Sequence, residues 1–145
     1  MKTLILALAA LFLIPAETSW SRTLFPSAGI HPLSKRDTRL AWLFANKVSE
    51  VQATCSGLVI LKLPDDIADI RHQRFIIQLA SGQTLLIAHN IDLAKRVKPL
   101  RIGDKVSVRG EYIWNEKGGL IHYTHDDPAG IDAGGWIKRK GVVFH

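Results

Sequence analysis

Cysteine is nearly absent from this 145-residue chain, which carries one, Cys55. A single thiol excludes an internal disulfide framework and any zinc cluster built on several sulfurs. There is no glycine-rich phosphate loop, no G-x-S-x-G elbow and no dinucleotide fingerprint, so the usual nucleotide-binding and serine-hydrolase signatures are missing. Acidic residues are the scarcer charge, thirteen against nineteen Lys and Arg, for a net +6. That balance favours an anionic partner or surface over a cationic one. Apolar residues at 47% and charged residues at 22% exclude disorder as the main state, and the length suits one domain.

The N-terminus is where the chain is most legible. Lys2 precedes an apolar run from Leu4 to Ile14, followed by Pro15 and small residues. The run falls short of the roughly 20 residues that a membrane-spanning helix needs. A basic start, a short apolar stretch and small residues at its exit predict a secretory signal peptide over residues 1–21, cleaved after Ala16 or Ser21. The alternative is an uncleaved anchor. The expected location is the periplasm or the medium, with no stable membrane span after cleavage. Removing Lys2 and Glu17 together leaves the net charge at +6. Cys55 lies in an apolar stretch and is expected to be buried and inert.

Residues 22–37 carry Pro26, Gly29 and Pro32 without a period and read as an arm or linker. The domain is expected over residues 38–145. Asp37 or Thr38 would cap a short helix whose apolar stripe is Leu40, Leu43, Phe44 and Val48. From Val51 the pattern turns β. VQATCSGLVILKL predicts a long strand with a bend or bulge at Gly57. PDDIADIRH reads as a loop, and RFIIQLA and QTLLIAH as a hairpin turning at Ser81-Gly82. IDLAKRV is expected to make one helical turn before Pro99. Then DKVSVRGEYIW, a turn over Asn115–Gly119, LIHYT and a last hairpin around Lys140-Gly141 complete the chain. This order predicts a mostly β fold, a small OB-like β-barrel preceded by a short N-terminal helix, with a β-sandwich as the alternative.

RHQRF, ASGQTLLIAHNIDLA, GEYIWNEKGG, IHYTHDDP and GGWI, in this order and over roughly residues 48–145, resemble a family of small exported bacterial proteins with an uncharacterised domain. The resemblance implies export and an OB-like domain. It implies no activity and no catalytic residues.

Candidate site residues therefore come from chemistry. A two-residue turn at Ser81-Gly82 would set Arg74 opposite His89, with His72, Asn90 and Asp92 nearby. A three-residue loop would shift that pairing by one and spoil it. Pairing Trp114 with Leu120 would set Tyr112 opposite His122 and Arg109 opposite His125, next to Asp126. The expected binding face is His72, Arg74, His89, Asn90, Asp92, Arg109, Trp114, His122, His125, Asp126 and Trp136.

Imidazoles beside a carboxylate suit a divalent metal, with His89, His122, His125 and Asp126 as candidate ligands. The H-x-x-H spacing is poor for that on a strand, because it throws the two rings to opposite faces. The histidines His89, His122 and His125 are also the candidate acid–base catalysts of a small phosphodiester-type hydrolase. Lys95, Arg96, Lys98, Arg101, Lys105 and Arg109, with Lys138, Arg139 and Lys140, would form a positive stripe beside Trp114, Tyr123 and Trp136. Such a stripe fits a nucleic acid, an anionic glycan or a partner protein. The first expectation is thus an exported binding module for an anionic or oligomeric ligand, and the second an extracytoplasmic hydrolase. A third is an adaptor that uses the N-terminal arm or a free sheet edge.

Overall fold

The computed structural model describes residues 33–127, 129–130 and 134–145. The expected signal peptide and nearly all of the arm lie outside them. Among these residues one helix, α1 (Lys35–Ala45), is followed by seven strands: β1 (Val51–Lys62), β2 (His72–Leu79), β3 (Thr84–Asn90), β4 (Lys105–Ile113), β5 (Leu120–His122), β6 (Trp136–Arg139) and β7 (Val142–Phe144). No helix among the described residues is long and apolar enough to cross a membrane.

The first five strands close on themselves in the order β1-β2-β3-β5-β4, and β4 returns to β1. Every contact in the ring is antiparallel except β3 against β5, where Leu86 meets Leu120 and Ile87 meets Ile121 in parallel. This is the small OB-like barrel expected from the strand pattern, with a helix before it. The long first strand makes closure feasible. Its first part, from Val51 to Leu58, pairs with β4, and its second, from Gly57 onward, pairs with β2. The expected irregularity falls two residues past Gly57, as a bulge between Val59 and Leu61. Strands β6 and β7 form a hairpin that extends the sheet from β4.

Alternation along β1 to β5 fills the interior. Ala53, Cys55, Val59, Phe75, Ile77, Leu85, Ile87, Val106, Val108, Tyr112 and Ile121 are all buried. Leu40 and Leu43 of α1 join the same cluster. The helix starts earlier than its apolar stripe suggests. Ser34, and neither Asp37 nor Thr38, is the N-cap, its hydroxyl accepting from the Asp37 amide at 3.1 Å. The helix also ends before Val48, which packs against the core from outside it. Trp114 fastens the other end of α1. Its indole N–H donates to the Phe44 carbonyl at 3.0 Å, and its ring stacks on Phe44 with Lys47 above it. The 91–104 segment, expected to hold a helical turn, contains turns and bends but no helix.

Both hairpin registers differ by one from the expected ones. In the first, the Leu79 amide donates to Gln83 O and the Gly82 amide to Leu79 O, both at 2.9 Å. Ala80, Ser81 and Gly82 therefore make a three-residue loop, closed by Gly82 at φ +86°. Arg74 consequently faces Ala88, and His89 faces Gln73. In the second, Ile113 rather than Trp114 pairs with Leu120, so His122 faces Glu111 and Tyr112 faces Ile121. Trp114 leaves the ladder because its own amide bonds Ser49 Oγ at 2.8 Å. Asn115 then organises the turn by accepting from the Lys117 and Gly119 amides.

Candidate functional site

The register shift separates the histidines. A one-residue slip exchanges the faces of a strand, so His89 points into the barrel, where it is fully buried. Its Nε2 lies 3.0 Å from the Lys95 carbonyl, which only accepts, so Nε2 carries the proton. The Thr124 hydroxyl then donates to Nδ1 at 2.8 Å. Burial, foremost, pushes the His89 pKa down, with the nearby His125 and His72 acting the same way against the two hydrogen bonds. Gln73, directly across from it, is also buried and holds Val97 by both its amide groups, at 2.9 and 3.0 Å. These two polar side chains strap the 95–97 segment across one end of the barrel.

The remaining candidates fall into separate groups. His72 Nδ1 donates to the Ile70 carbonyl at 2.8 Å, and Arg74 Nε to the Pro64 carbonyl at 3.1 Å. Asn90 turns the chain after β3 by accepting from the Asp92 and Leu93 amides. Asp92 pairs with Arg71, whose backbone amide and guanidinium hold its carboxyl below the usual carboxylate range. Trp114 is committed to α1. Part of the expected positive stripe is neutralised: Arg96 is paired with Asp65, and Arg139 with Asp104 at 2.7 Å. Asp65 of the PDDIAD loop thus serves to dock a basic side chain. Cys55 is fully buried, and burial pushes its thiol up to about 12.

One cleft does gather several candidates. It encloses about 660 Å³ between the start of β1, the end of β4 and the segments that leave β3 and β5. Gln52 and Glu111 face each other on the outer surface of β1 and β4, and His122 continues the row from β5. His122 Nε2 donates to Glu111 Oε1 at 3.1 Å. Beyond His122 the chain leaves the sheet through Tyr123, which adopts φ +47°. A bulky residue in this left-handed region is strained. Tyr123 is 58% exposed, its ring stacked 4.1 Å from His122 and edge-on to His125 at 6.2 Å. Glu50, on the opposite wall, is likewise left-handed at φ +60°.

Asn90, Leu93, Ile70, Asp127 and Gly134 complete the cleft. His125 Nδ1 donates to the Asp126 carbonyl at 2.7 Å, and Asp126 holds His145 at 2.5 Å. The cleft therefore offers an exposed aromatic face, a carboxylate–imidazole pair and further carboxylate and amide acceptors. Among the described residues, no three His, Cys, Asp or Glu side chains are grouped to hold a metal ion. Arg109 and Trp136 share the next row of the outer surface with Thr54, beside the cleft.

Glu50, Gln52 and Glu111 had no part in the expected site, and Tyr123 was expected only as a stacking surface beside the positive stripe. Their roles depend on the true registers and on backbone strain that no local pattern announces. No curated protein matches the chain. A family model matches residues 23–145, and the chain belongs to that family, described as a protein of unknown function, DUF3465.

Proposed function

We propose that this protein is an exported binding module whose barrel holds an oligomeric, polyhydroxylated ligand such as a glycan in the cleft around Tyr123. The observation that carries the reading is Tyr123 itself, an exposed ring kept at a strained φ of +47° at the cleft and backed by His122. Strain of this kind persists where the surroundings impose it, and it concentrates at binding sites. The flat ring gives a stacking face, while Glu111, Gln52 and Asn90 bring acceptor and amide groups suited to hydroxyls. Glu50, Glu111 and Asp127 on the same walls oppose a phosphodiester backbone, which argues against nucleic acid in this cleft. Export rests on Lys2 and the apolar run from Leu4 to Ile14.

The test is calorimetric titration of the purified protein with a neutral chito-oligosaccharide, a sulfated oligosaccharide and oligodeoxythymidine. Binding of a sugar oligomer is expected, weakened about tenfold by Tyr123→Ala, the size of one lost stacking contact of ~1–3 kcal/mol. Binding of oligodeoxythymidine alone, or a Tyr123→Ala protein that binds as well as the original, overturns the reading. Export is checked separately by the N-terminal residue of the protein recovered outside the cytoplasm, expected to be Glu17 or Arg22.

The hydrolase reading keeps one favourable observation, the Glu111–His122 pair at 3.1 Å, in which a carboxylate orients an imidazole. Release of nitrophenol from bis(p-nitrophenyl) phosphate, abolished by His122→Ala, would put it ahead of the binding module.

A further inference from the structure

We propose that the groove between α1 and the first half of β1 is a binding site for a tetrahedral oxyanion, phosphate or sulfate, held by Arg36, Arg39 and Arg109. These three guanidiniums line one groove of about 300 Å³ together with Thr54 and Gln52. Among the described residues, no carboxylate lines it. Among the described residues, none of the three arginines is ion-paired. Arg109 Nε is buried with no hydrogen-bond partner. A buried charged donor without an acceptor is costly, so its retention calls for a partner. Asp37, next to Arg36 in sequence, lines a neighbouring groove that Arg36 also borders, and does not line this one.

The helix supplies an independent argument. Arg36 and Arg39 are three residues apart and share one side of α1, within its first turn and a half. The positive end of the helix dipole lies there, where basic side chains reduce helix stability. Two arginines at that position work against the helix, so helix stability does not account for them, whereas an anion in the groove does. Planar guanidinium forks match the paired oxygens of phosphate and sulfate, and the Thr54 hydroxyl can donate a further hydrogen bond. Thr54 and Arg109 are cross-strand partners, so the antiparallel ladder sets their spacing. The groove adjoins the Tyr123 cleft through Gln52, which lines both. The inference stands on the arginines and survives if nothing binds in that cleft.

The experiment follows the arginine Nε–H resonances of the ¹⁵N-labelled protein by NMR while inorganic phosphate and then sulfate are added, with chloride at matched ionic strength as control. The Arg109 Nε–H signal is expected to shift and saturate with either oxyanion and to stay in place with chloride. Arg36→Gln/Arg39→Gln alters only exposed helix positions, so the fold survives, and it is expected to weaken the titration by about tenfold or more. An Arg109 signal that never moves, moves equally with chloride, or titrates unchanged in the double variant overturns the proposal. Repeating the titration with a sulfated oligosaccharide identifies the source of the anion. Tighter binding than inorganic sulfate marks a substituent on a polymer, and equal binding marks the free ion.

Discussion

His89 shows how one side chain can change from candidate ligand to structural strut. Its ring is enclosed, its protonated Nε2 is spent on the Lys95 carbonyl and its Nδ1 on Thr124. Because burial lowers its pKa in the folded chain, the unfolded chain binds the extra proton more readily. The stability it contributes is therefore complete above the unfolded histidine value of about 6.5 and declines as pH falls through that value. Urea unfolding at pH 5 and pH 7 is expected to show the protein less stable at pH 5. His89→Leu should reduce that difference, while lowering stability at pH 7 by about 1–3 kcal/mol through the orphaned Lys95 carbonyl. An undiminished difference in the variant would assign the pH dependence to other groups.

Among the elements, the β4–β5 turn governs most of the site, since it sets the row in which Glu111 meets His122. The turn passes tightly over the core. Gly119 adopts φ +114°, and a Cβ placed on it would lie 2.2 Å from the buried Tyr112 ring. The Tyr112 hydroxyl also donates to the neighbouring Gly118 carbonyl at 3.2 Å. Gly119→Ala therefore meets both backbone strain and a ring that cannot retreat. It is expected to cost about 2 kcal/mol or more, read as a lower urea midpoint with an unchanged slope. The Glu111–His122 contact should loosen with it, visible as altered His122 ring resonances.

Across the whole molecule, the hairpin formed by β6 and β7 and the 91–104 segment are secured by ion pairs. Arg139 with Asp104, Arg96 with Asp65 and Arg71 with Asp92 hold all three carboxyls below the usual range, chiefly through hydrogen bonds from the arginines. For a depressed acid the contribution is present above the unfolded value near 4 and disappears as pH falls further. Acid titration should thus show a second loss of stability below about pH 4, after the histidine step. Asp104→Asn removes the acceptor charge beneath a largely buried Arg139 and should shrink that second loss while lowering the plateau at neutral pH. A variant whose acid limb overlays the original would remove Asp104 from the account.

Much of this molecule was readable from local pattern. Alternation of period two identified the core positions of most strands, because a strand half-buried in a barrel must turn its apolar side inward; in β3 it set His89 outward, where the structure buries Leu85, Ile87 and His89. The apolar spacing of Leu40 and Leu43 identified the helix, and strand order with a bulged first strand identified an OB-like barrel. The site was far less legible. Side-chain identity named the histidines but not their faces, and a loop longer by one residue at Gly82 moved His89 from the surface into the core. Trp114 left its strand for Ser49 and Phe44, residues far away in sequence, and so reset which residue met His122. Tyr123 owes its strained exposure to the tightly packed exit from β5, and the arginine groove exists because α1 lies against β1. Composition and periodicity are local properties and were enough to determine most elements, the inward side of most strands and the charge. Register, strain and convergence of distant side chains arise only when the barrel closes, because only then does a one-residue choice at a turn acquire an inside and an outside.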